Sequence, residues 1–312
     1  MTTPPRELGL GYAAASATLL SWAAVALLLE HFTASIDVWT ANGWRYGAAA
    51  ILWMPLALLV LRRRGAGGVP WASVVGPSIL WFLGQVQFAS AFYFVGPAMV
   101  TFMIRVQILC VILISAVAVP SARGLLRLPA VWAGVAMMLG GAGGMLGFGA
   151  EPPRVDDWTG VALAAGSGAT FAGYGVALRF MLPPADDARR PRLGPMERFS
   201  FIAVMVGGGM IGLMLLLGEE RGAVAARLDA GDLGLLALSS ILGVMVGHLA
   251  YFVAIERIGV VAASSIVQLQ PFIVLLAAWP LFGERMTLPQ LAAGVTLAAG
   301  AAVLVRAQTG RT

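Results

Sequence analysis

The sequence predicts an all-α integral membrane protein with ten transmembrane helices in two inverted five-helix repeats. Hydrophobic residues make up 59% of the 312 residues and charged residues only 11%. The mean hydropathy is +0.87, which is more apolar than a soluble domain can cover with polar surface. The chain also holds ten apolar stretches of about 20 residues, the length that crosses a bilayer. Finally, its two halves align with each other.

The predicted spans cover residues 10–30, 40–61, 71–94, 97–118, 129–149, 158–181, 197–217, 232–254, 260–281 and 288–306. The turns "VGPA" at 95–98 and "ERIGV" at 256–260 are so short that the spans on either side must be antiparallel neighbours. No small-residue cleavage site clearly follows the first span, so we expect a retained helix rather than a signal peptide.

The arginines predict the orientation of the chain in the membrane. One set of loops and ends carries twelve of them: Arg6, Arg62, Arg63, Arg64, Arg123, Arg127, Arg189, Arg190, Arg192, Arg257, Arg306 and Arg311. The opposite set carries four: Arg154, Arg221, Arg227 and Arg285. Positive charge stays on the cytoplasmic side, so we expect both termini there, in a bacterial-type inner (plasma) membrane. Because the arginines lie in short loops, the net charge of +5 indicates topology control and not a nucleic-acid partner.

An internal repeat divides the chain into residues 1–150 and 151–312 of a single membrane domain. The segment "GQVQFASAFYFVGPAMVTFMIRVQ" from Gly84 aligns, after a shift of 163 positions, with "GHLAYFVAIERIGVVAASSIVQLQ" from Gly247. Gly96 then meets Gly259, and Gln107 meets Gln270. Five spans is an odd number, so the second half enters the membrane from the opposite side. Inverted repeats are typical of transporters whose substrate site lies near the midplane.

The last fifty residues carry a family resemblance. The stretch "AIERIGVVAASSIVQLQPFIVLLAAWPLFGERMTLPQLAAGVTLAAGAAVL" resembles the closing module of EamA-type ten-helix exporters of the drug/metabolite transporter superfamily, with Pro271 inside the ninth span and the pair Gly283–Glu284. The first half has Ile108 in place of the proline and "VPSARG" in place of the Gly-Glu pair. The resemblance implies export of amino acids, related metabolites or toxic cations, and is nearest to the bacterial aromatic amino acid exporters.

Arg105 is the leading candidate site residue. It lies about eight residues into the fourth span, roughly 12 Å below the interface, where a charge is costly and needs a partner or a wet cavity. One interpretation is that it attracts a substrate carboxylate. The alternative is that it binds carbonyls at a broken helix, or Glu30. The repeat aligns it with Gln268.

Two stripes at helical spacing predict the wall of a substrate cavity. The third span places Trp81, Gln85 and Phe88 on one face, and the repeat gives His248 and Tyr251 on the eighth. Each stripe is centred on a polar residue, which favours a cavity over plain packing. For His248 the alternative is a neutral imidazole bonded to a neighbouring helix. Two further aromatic candidates come from "FAGYG" and "LLSWA": Tyr174 and Trp22.

Several other polar residues are interpreted as structural. Gln107 and Gln270 are expected to make interhelical hydrogen bonds. Arg45 is expected to reach the outer interface. "TLPQ" at 287–290 predicts a capping box for the last helix, with Glu284 favourably placed before that helix.

The sequence therefore predicts a secondary transporter, not an enzyme, because it lacks hydrolase, nucleotide-binding and metal-binding motifs. We expect it to export small metabolites by alternating access, aromatic or large neutral amino acids first, without a cofactor. Its partners are a small-molecule substrate and the lipid bilayer. We expect a monomer, with a dimer as the alternative. The alternatives in function are efflux of cationic drugs, or a non-transport intramembrane enzyme or structural subunit.

Overall fold

A computed structural model describes residues 5–118, 124, 126–149, 155–180 and 193–309. Within these ranges the chain is helical and contains no strand. The helices are α1 Pro5–Phe32, α2 Val38–Arg64, α3 Ala72–Ala91, α4 Pro97–Met103, α5 Gln107–Ala118, α6 Pro129–Gly147, α7 Val155–Phe180, α8 Pro195–Leu217, α9 Ala230–Ser240, α10 Gly247–Val267, α11 Gln270–Phe282 and α12 Leu288–Thr309. Short 3₁₀ segments occur at Ala66–Gly68, Ile104–Val106 and Glu219–Arg227, and a π-helical turn at Ile241–Val246 joins α9 to α10.

Seven segments of the described chain are long and apolar enough to cross a bilayer, which makes this a multi-pass membrane protein. They correspond to seven of the predicted spans. The other three predicted spans fall on α7, on the end of α10 together with α11, and on α12. Gln270–Phe282 and Leu288–Leu304 are apolar but shorter than a full span. The count of ten therefore stays a prediction.

Four helix pairs run antiparallel and organise the bundle. In the α2–α8 pair, Gly43 lies against Met214 near one end, and Arg64 bonds Glu197 at the other. In the α6–α12 pair, backbone meets backbone: a Cβ on Gly141 would lie 2.6 Å from the Ala293 oxygen. The remaining pairs are α3 with α7 and α1 with α10. The glycine tracts of α6 and α8 thus permit close helix contact, as their composition predicts.

The chain reverses direction within α10. Helical hydrogen bonding runs through Gly247–Val267, yet both the start and the middle of this stretch lie beside α1. The Gly247 oxygen accepts a hydrogen bond from Thr18 at 3.2 Å, and Ile258 lies against Gly11. Gln270 then returns to the Trp22 oxygen, at 3.0 Å. A straight helix of 23 residues would be about 34 Å long, so the chain turns back after Ile258, close to the predicted turn at 256–260.

Side chains cap the helices on the side where α1 meets α2. Asp37 accepts hydrogen bonds from the Trp39 and Thr40 amides and begins α2. Burial alone would raise the pKa of Asp37, but these bonds and one from the Glu219 amide lower it below its ordinary value. The predicted capping box of α12 is confirmed: the Thr287 amide donates to Gln290 Oε1, and the Gln290 amide to Thr287 Oγ1.

Of two expectations about charged residues, the one for Arg45 is wrong. Glu284 precedes α12 as predicted, and its Oε2 also accepts a hydrogen bond from the Ala98 amide at 3.1 Å, at the start of α4. The Glu284 carboxylate can come this close because residue 96 is a glycine; a Cβ there would lie 2.6 Å from the carboxylate. Arg45 does not reach the interface. It is only 1% exposed, because its guanidinium turns inward to Ser239 on α9.

Some predictions fall outside the described residues. They include the boundary between the halves at 150 and 151, and several arginines used to predict orientation: Arg123, Arg154, Arg189, Arg190, Arg192 and Arg311. Predicted orientation therefore rests on the sequence alone.

Candidate functional site

Six rings from five helices meet in the interior, and we call them the central aromatic cluster: Trp22, Trp81, Tyr174, Phe199, His248 and Tyr251. The His248 ring lies 4.8 Å from Trp81, 5.4 Å from Trp22 and 5.6 Å from Phe199 between ring centroids. Tyr251 lies 5.3 Å from Trp22. The structure thus brings together five of the predicted site residues.

Phe199 belongs to this cluster but is absent from the sequence prediction. It contacts Trp81 at 5.5 Å between ring centroids and lies near the start of α8. Its segment "ERFS" aligns with "WRYG" in the other half. The rings at the equivalent positions, Phe199 and Tyr46, both contact Trp81. The repeat was the signal that could have identified them.

His248 is held by the π-helical turn that precedes α10. Its Nδ1 lies 2.8 Å from the Gly243 oxygen, so Nδ1 carries the proton and donates. In the neutral ring Nε2 is then an acceptor. A π-helical turn is a recurrent device for placing functional side chains. His248 therefore combines the hydrogen bond expected of a structural histidine with a place among the rings.

Phe88 lies apart from the cluster. Its ring contacts Phe92 at 5.1 Å, and it packs against the apolar core that contains Phe102. One turn closer to Trp81, Gln85 is 5% exposed and its Nε2 has no hydrogen-bond partner in the described structure. The third-span stripe thus contributes Trp81 and a buried amide, not a continuous aromatic wall.

Arg105 lies where the fourth span is broken, in the 3₁₀ segment between α4 and α5. It is 7% exposed. Its Nε donates to the Thr101 oxygen at 3.2 Å, and its Nη2 donates to Gln270 Oε1. Gln270 in turn donates to the Trp22 oxygen. Arg105 therefore makes the bond to a broken-helix carbonyl, while its bond to Gln270 connects it to α1 and the aromatic cluster.

The two glutamines of the repeat differ. Gln270 makes the predicted interhelical bonds, which confirms its structural role. Gln107 is half-buried, and its side chain makes no hydrogen bond to another described residue. Gln268, the counterpart of Arg105, is 8% exposed, and its Oε1 has no partner among the described residues.

Charges around the cluster are positive. Arg105 and Arg45 are both buried there, and neither forms an ion pair with a carboxylate of the described chain. Glu30 lies at the end of α1, about 12 Å along the helix from Trp22. Its Oε2 is buried without a hydrogen-bond partner in the described residues.

Two cavities lie away from the cluster. One of about 340 Å³ lies beside the α6–α12 contact and is lined by residues that include Gly141 and Thr296. The other, about 270 Å³, is lined by residues that include Gly96, Glu284 and Arg285. Within the described residues, no group of three His, Cys, Asp or Glu side chains is placed to hold a metal ion.

Comparison with known proteins finds a family match for the second half of the chain. Residues 158–306 match the profile of the EamA-like transporter family. This half is similar to an EamA-like transporter domain. The match supports the drug/metabolite transporter superfamily and favours a membrane transporter of small solutes. No curated protein matches the chain.

A solved structure shares the fold over nearly the full length. Its title is "Crystal structure of protein". The match covers 94% of this chain and 95% of that chain, at 17% sequence identity and a TM-score of 0.52. At this identity the likeness speaks for the fold alone, and it extends beyond the EamA-like domain into the first half.

Proposed function

We propose that the protein is a ten-helix secondary transporter that exports amino acids, aromatic or large neutral ones first, by alternating access. The observation that carries the proposal is a pair of broken helices beside the aromatic cluster. The first break, at Ile104–Val106, carries Arg105. The second, at 268–269 between α10 and α11, carries Gln268. Broken helices near the middle of paired repeats are typical of transporter substrate sites.

The helix pairing supports the inverted repeat. Numbered as spans, α1 with α10 is span one with span eight, and α3 with α7 is span three with span six. A two-fold axis between the halves exchanges these two pairs. The same axis relates the two helices within α2–α8 (spans two and seven) to each other, and likewise the two helices within α6–α12 (spans five and ten). The glycines matched by the repeat also have matching neighbours: Gly84 lies against Phe171, and Gly247 against Trp22.

The lining chemistry favours a substrate with an aromatic or large apolar group and a carboxylate. The stacked rings offer faces for such a group. Arg105 uses two of its five N–H donors on Thr101 and Gln270, which leaves donors for a carboxylate. The amide of Gln85 and the oxygen of Gln268 add a donor and an acceptor for the polar end of the same molecule.

Efflux of cationic drugs is the second candidate, and one observation favours it. Glu30 is an incompletely satisfied carboxylate in a membrane helix, and buried acids attract cations. Its distance from the rings and the two buried arginines beside them make the carboxylate-bearing substrate the better fit.

We also propose an inner-membrane location with cytoplasmic termini. A reporter that works only in the periplasm, fused to the C-terminus, tests this by remaining inactive.

Counterflow in liposomes tests the transport proposal. Purified protein is reconstituted with tryptophan or phenylalanine inside, and uptake of the labelled amino acid is compared with that of its amide. Arg105→Gln should lower the apparent affinity for the acids about ten- to a hundredfold, the size of a lost charged hydrogen bond, and affect the amides less. Arg62→Gln, which removes an exposed charge at the end of α2, is the control. No counterflow of any amino acid by the wild type would refute the proposed substrate class.

A further inference from the structure

Arg45 is a second buried cation, and it is less satisfied than Arg105. Its Nε donates to Ser239 Oγ at 2.9 Å, while its Nη1 has no hydrogen-bond partner among the described residues. The ionisable groups that act on it are the phenols of Tyr46 and Tyr93, and no carboxylate of the described chain pairs with it. A buried guanidinium without an anion is costly in a membrane.

Asn42 adds two more unsatisfied groups on the same face of α2. It lies three residues before Arg45, so the two side chains are neighbours on the helix surface. It is 1% exposed, and neither its Oδ1 nor its Nδ2 has a partner in the described structure. Buried amides and guanidinium groups normally find partners. Their coincidence on one helix turn indicates a ligand with acceptor atoms.

One residue connects this place to the aromatic cluster. A Cβ on Gly243 would lie 3.3 Å from Arg45 Nη2. The oxygen of the same Gly243 pairs with His248. The π-helical turn Ile241–Val246 therefore has Arg45 on one side and the rings on the other. Arg45 also lies nearer than the rings to the end of the bundle where α1 meets α2.

We propose that Arg45 and Asn42 form a second anion site, which binds a monocarboxylate. The guanidinium Nη1 and the Asn42 amide nitrogen donate to the carboxylate oxygens. Resting on the proposed export function, the carboxylate is that of the transported substrate after it leaves the central site, on the way to the α1–α2 end. The Tyr46 ring, 5.8 Å from the guanidinium carbon, holds Arg45 in position by a cation–π contact.

Anion-dependent thermal stabilisation tests the site without any transport. Purified protein in detergent is titrated with sodium acetate or sodium benzoate at constant ionic strength set with sodium sulfate. Acetamide, benzamide and sodium chloride are the comparison solutes. A ligand that binds only the folded state raises the unfolding midpoint. We expect acetate and benzoate to raise it and the amides to leave it unchanged.

The variants locate the effect. Arg45→Gln and Asn42→Leu should each raise the acetate concentration that gives half of the maximal stabilisation. For the arginine variant we expect an increase of about ten- to a hundredfold. Arg62→Gln, which removes an exposed charge outside both sites, should keep the wild-type response. If Arg45→Gln fails to fold, Gly243→Ala replaces it: the added methyl group narrows the space at Nη2 and should weaken the response too.

Three results would overturn the site. The first is a wild type whose midpoint does not respond to carboxylates. The second is a wild-type response kept by Arg45→Gln, Asn42→Leu and Gly243→Ala. If Arg105→Gln alone loses it, the central site stands and the second site does not. The third is chloride acting as strongly as acetate through Arg45, which assigns the site to an inorganic anion and removes its role in export. Loss of counterflow with the acetate response intact would refute only the transport proposal.

Discussion

The two broken helices lie at positions that the predicted repeat aligns, but their local sequences differ. In the first half the break at Ile104–Val106 involves no proline. The Thr101 oxygen, which a regular α-helix pairs with the Arg105 amide, accepts a hydrogen bond from the Arg105 side chain. In the second half Pro271 lies in the first turn of α11. It has no N–H for the carbonyl four residues before it, so the preceding helix cannot continue through it.

This difference makes the centre of the molecule asymmetric. The first break carries the charge of Arg105, whereas the second is followed by a proline and carries no charge. The second half contributes Gln270, whose oxygen accepts from that arginine. The halves are therefore complementary rather than interchangeable, and the following variants test how far the two breaks are equivalent.

A proline scan of α5 should give the largest effect. Ile108→Pro copies the second half at a position in the first turn of α5, where a proline is tolerated. We expect it to fold with a loss below about 1 kcal/mol. Val111→Pro lies one turn further on and should cost about 3 kcal/mol or more. The measurement is the unfolding midpoint in detergent, and equal losses for the two variants would contradict the equivalence of the breaks.

Truncation of the repeated glutamines should separate them. Gln270→Leu removes a charged hydrogen bond to Arg105 and a neutral one to Trp22, for a loss of about 2–4 kcal/mol. Gln107→Leu removes a half-buried amide with no such bonds and should lose less than about 1 kcal/mol. Chemical denaturation of both proteins in the same detergent compares them. Similar losses would mean that the asymmetry at the centre is not energetic.

Alanine at the matched glycines gives an intermediate effect. A Cβ at Gly247 would lie 2.3 Å from the Trp22 ring nitrogen, and at Gly84 it would lie 2.9 Å from the Phe171 ring. Both substitutions should destabilise by about 1–3 kcal/mol through overpacking. Gly247→Ala should also reduce counterflow per folded molecule, because Trp22 belongs to the cluster. Greater loss of flux from Gly84→Ala would place the substrate nearer Phe171.

The smallest effect concerns pH and the capping of α4. Burial raises the pKa of Glu284 above its ordinary value of 4.5, although hydrogen bonds from the Ala98 and Met99 amides lower it in part. The carboxyl therefore contributes stability that is present below about pH 4.5 and is lost as the pH rises through the raised pKa. Glu284→Gln keeps an acceptor for Ala98 and should remove this loss. As the pH rises from 4 to 8, the unfolding midpoint of the wild type should fall relative to that of Glu284→Gln. If the two midpoints change in parallel, Glu284 does not cause the pH dependence.

Local patterns were enough to predict most of the architecture. Apolar length gave the helices, and "TLPQ" gave the cap of α12, because both depend on neighbours in sequence. The repeat aligns Gly84 with Gly247, and each of these glycines lies against an aromatic ring. These features depend on periodicity and composition.

Partners from distant helices could not be predicted in the same way. Arg45 has the sequence context of an interfacial arginine, yet Ser239 on α9 draws it inward. Glu284 precedes α12 but serves α4, through a contact 186 positions away. Phe88 shares helical spacing with Trp81 but packs with Phe92, because helix rotation depends on every neighbour at once. Arg105 was predicted to need a partner, but nothing in the sequence singled out Gln270 for that role.

The pairing of helices from opposite halves also affects how the protein is made. Thr18 on α1 donates to the Gly247 oxygen, 229 positions later in the chain. At about 5–20 residues per second, a ribosome needs roughly 10 to 45 seconds to synthesise that interval. During this time α1 is inserted without its neighbour, with hydroxyl groups that its own carbonyls must satisfy in the interim. Assembly of the finished bundle therefore waits for the last third of the chain, and a truncated product ending before Gly247 should be recognised and degraded by membrane proteases.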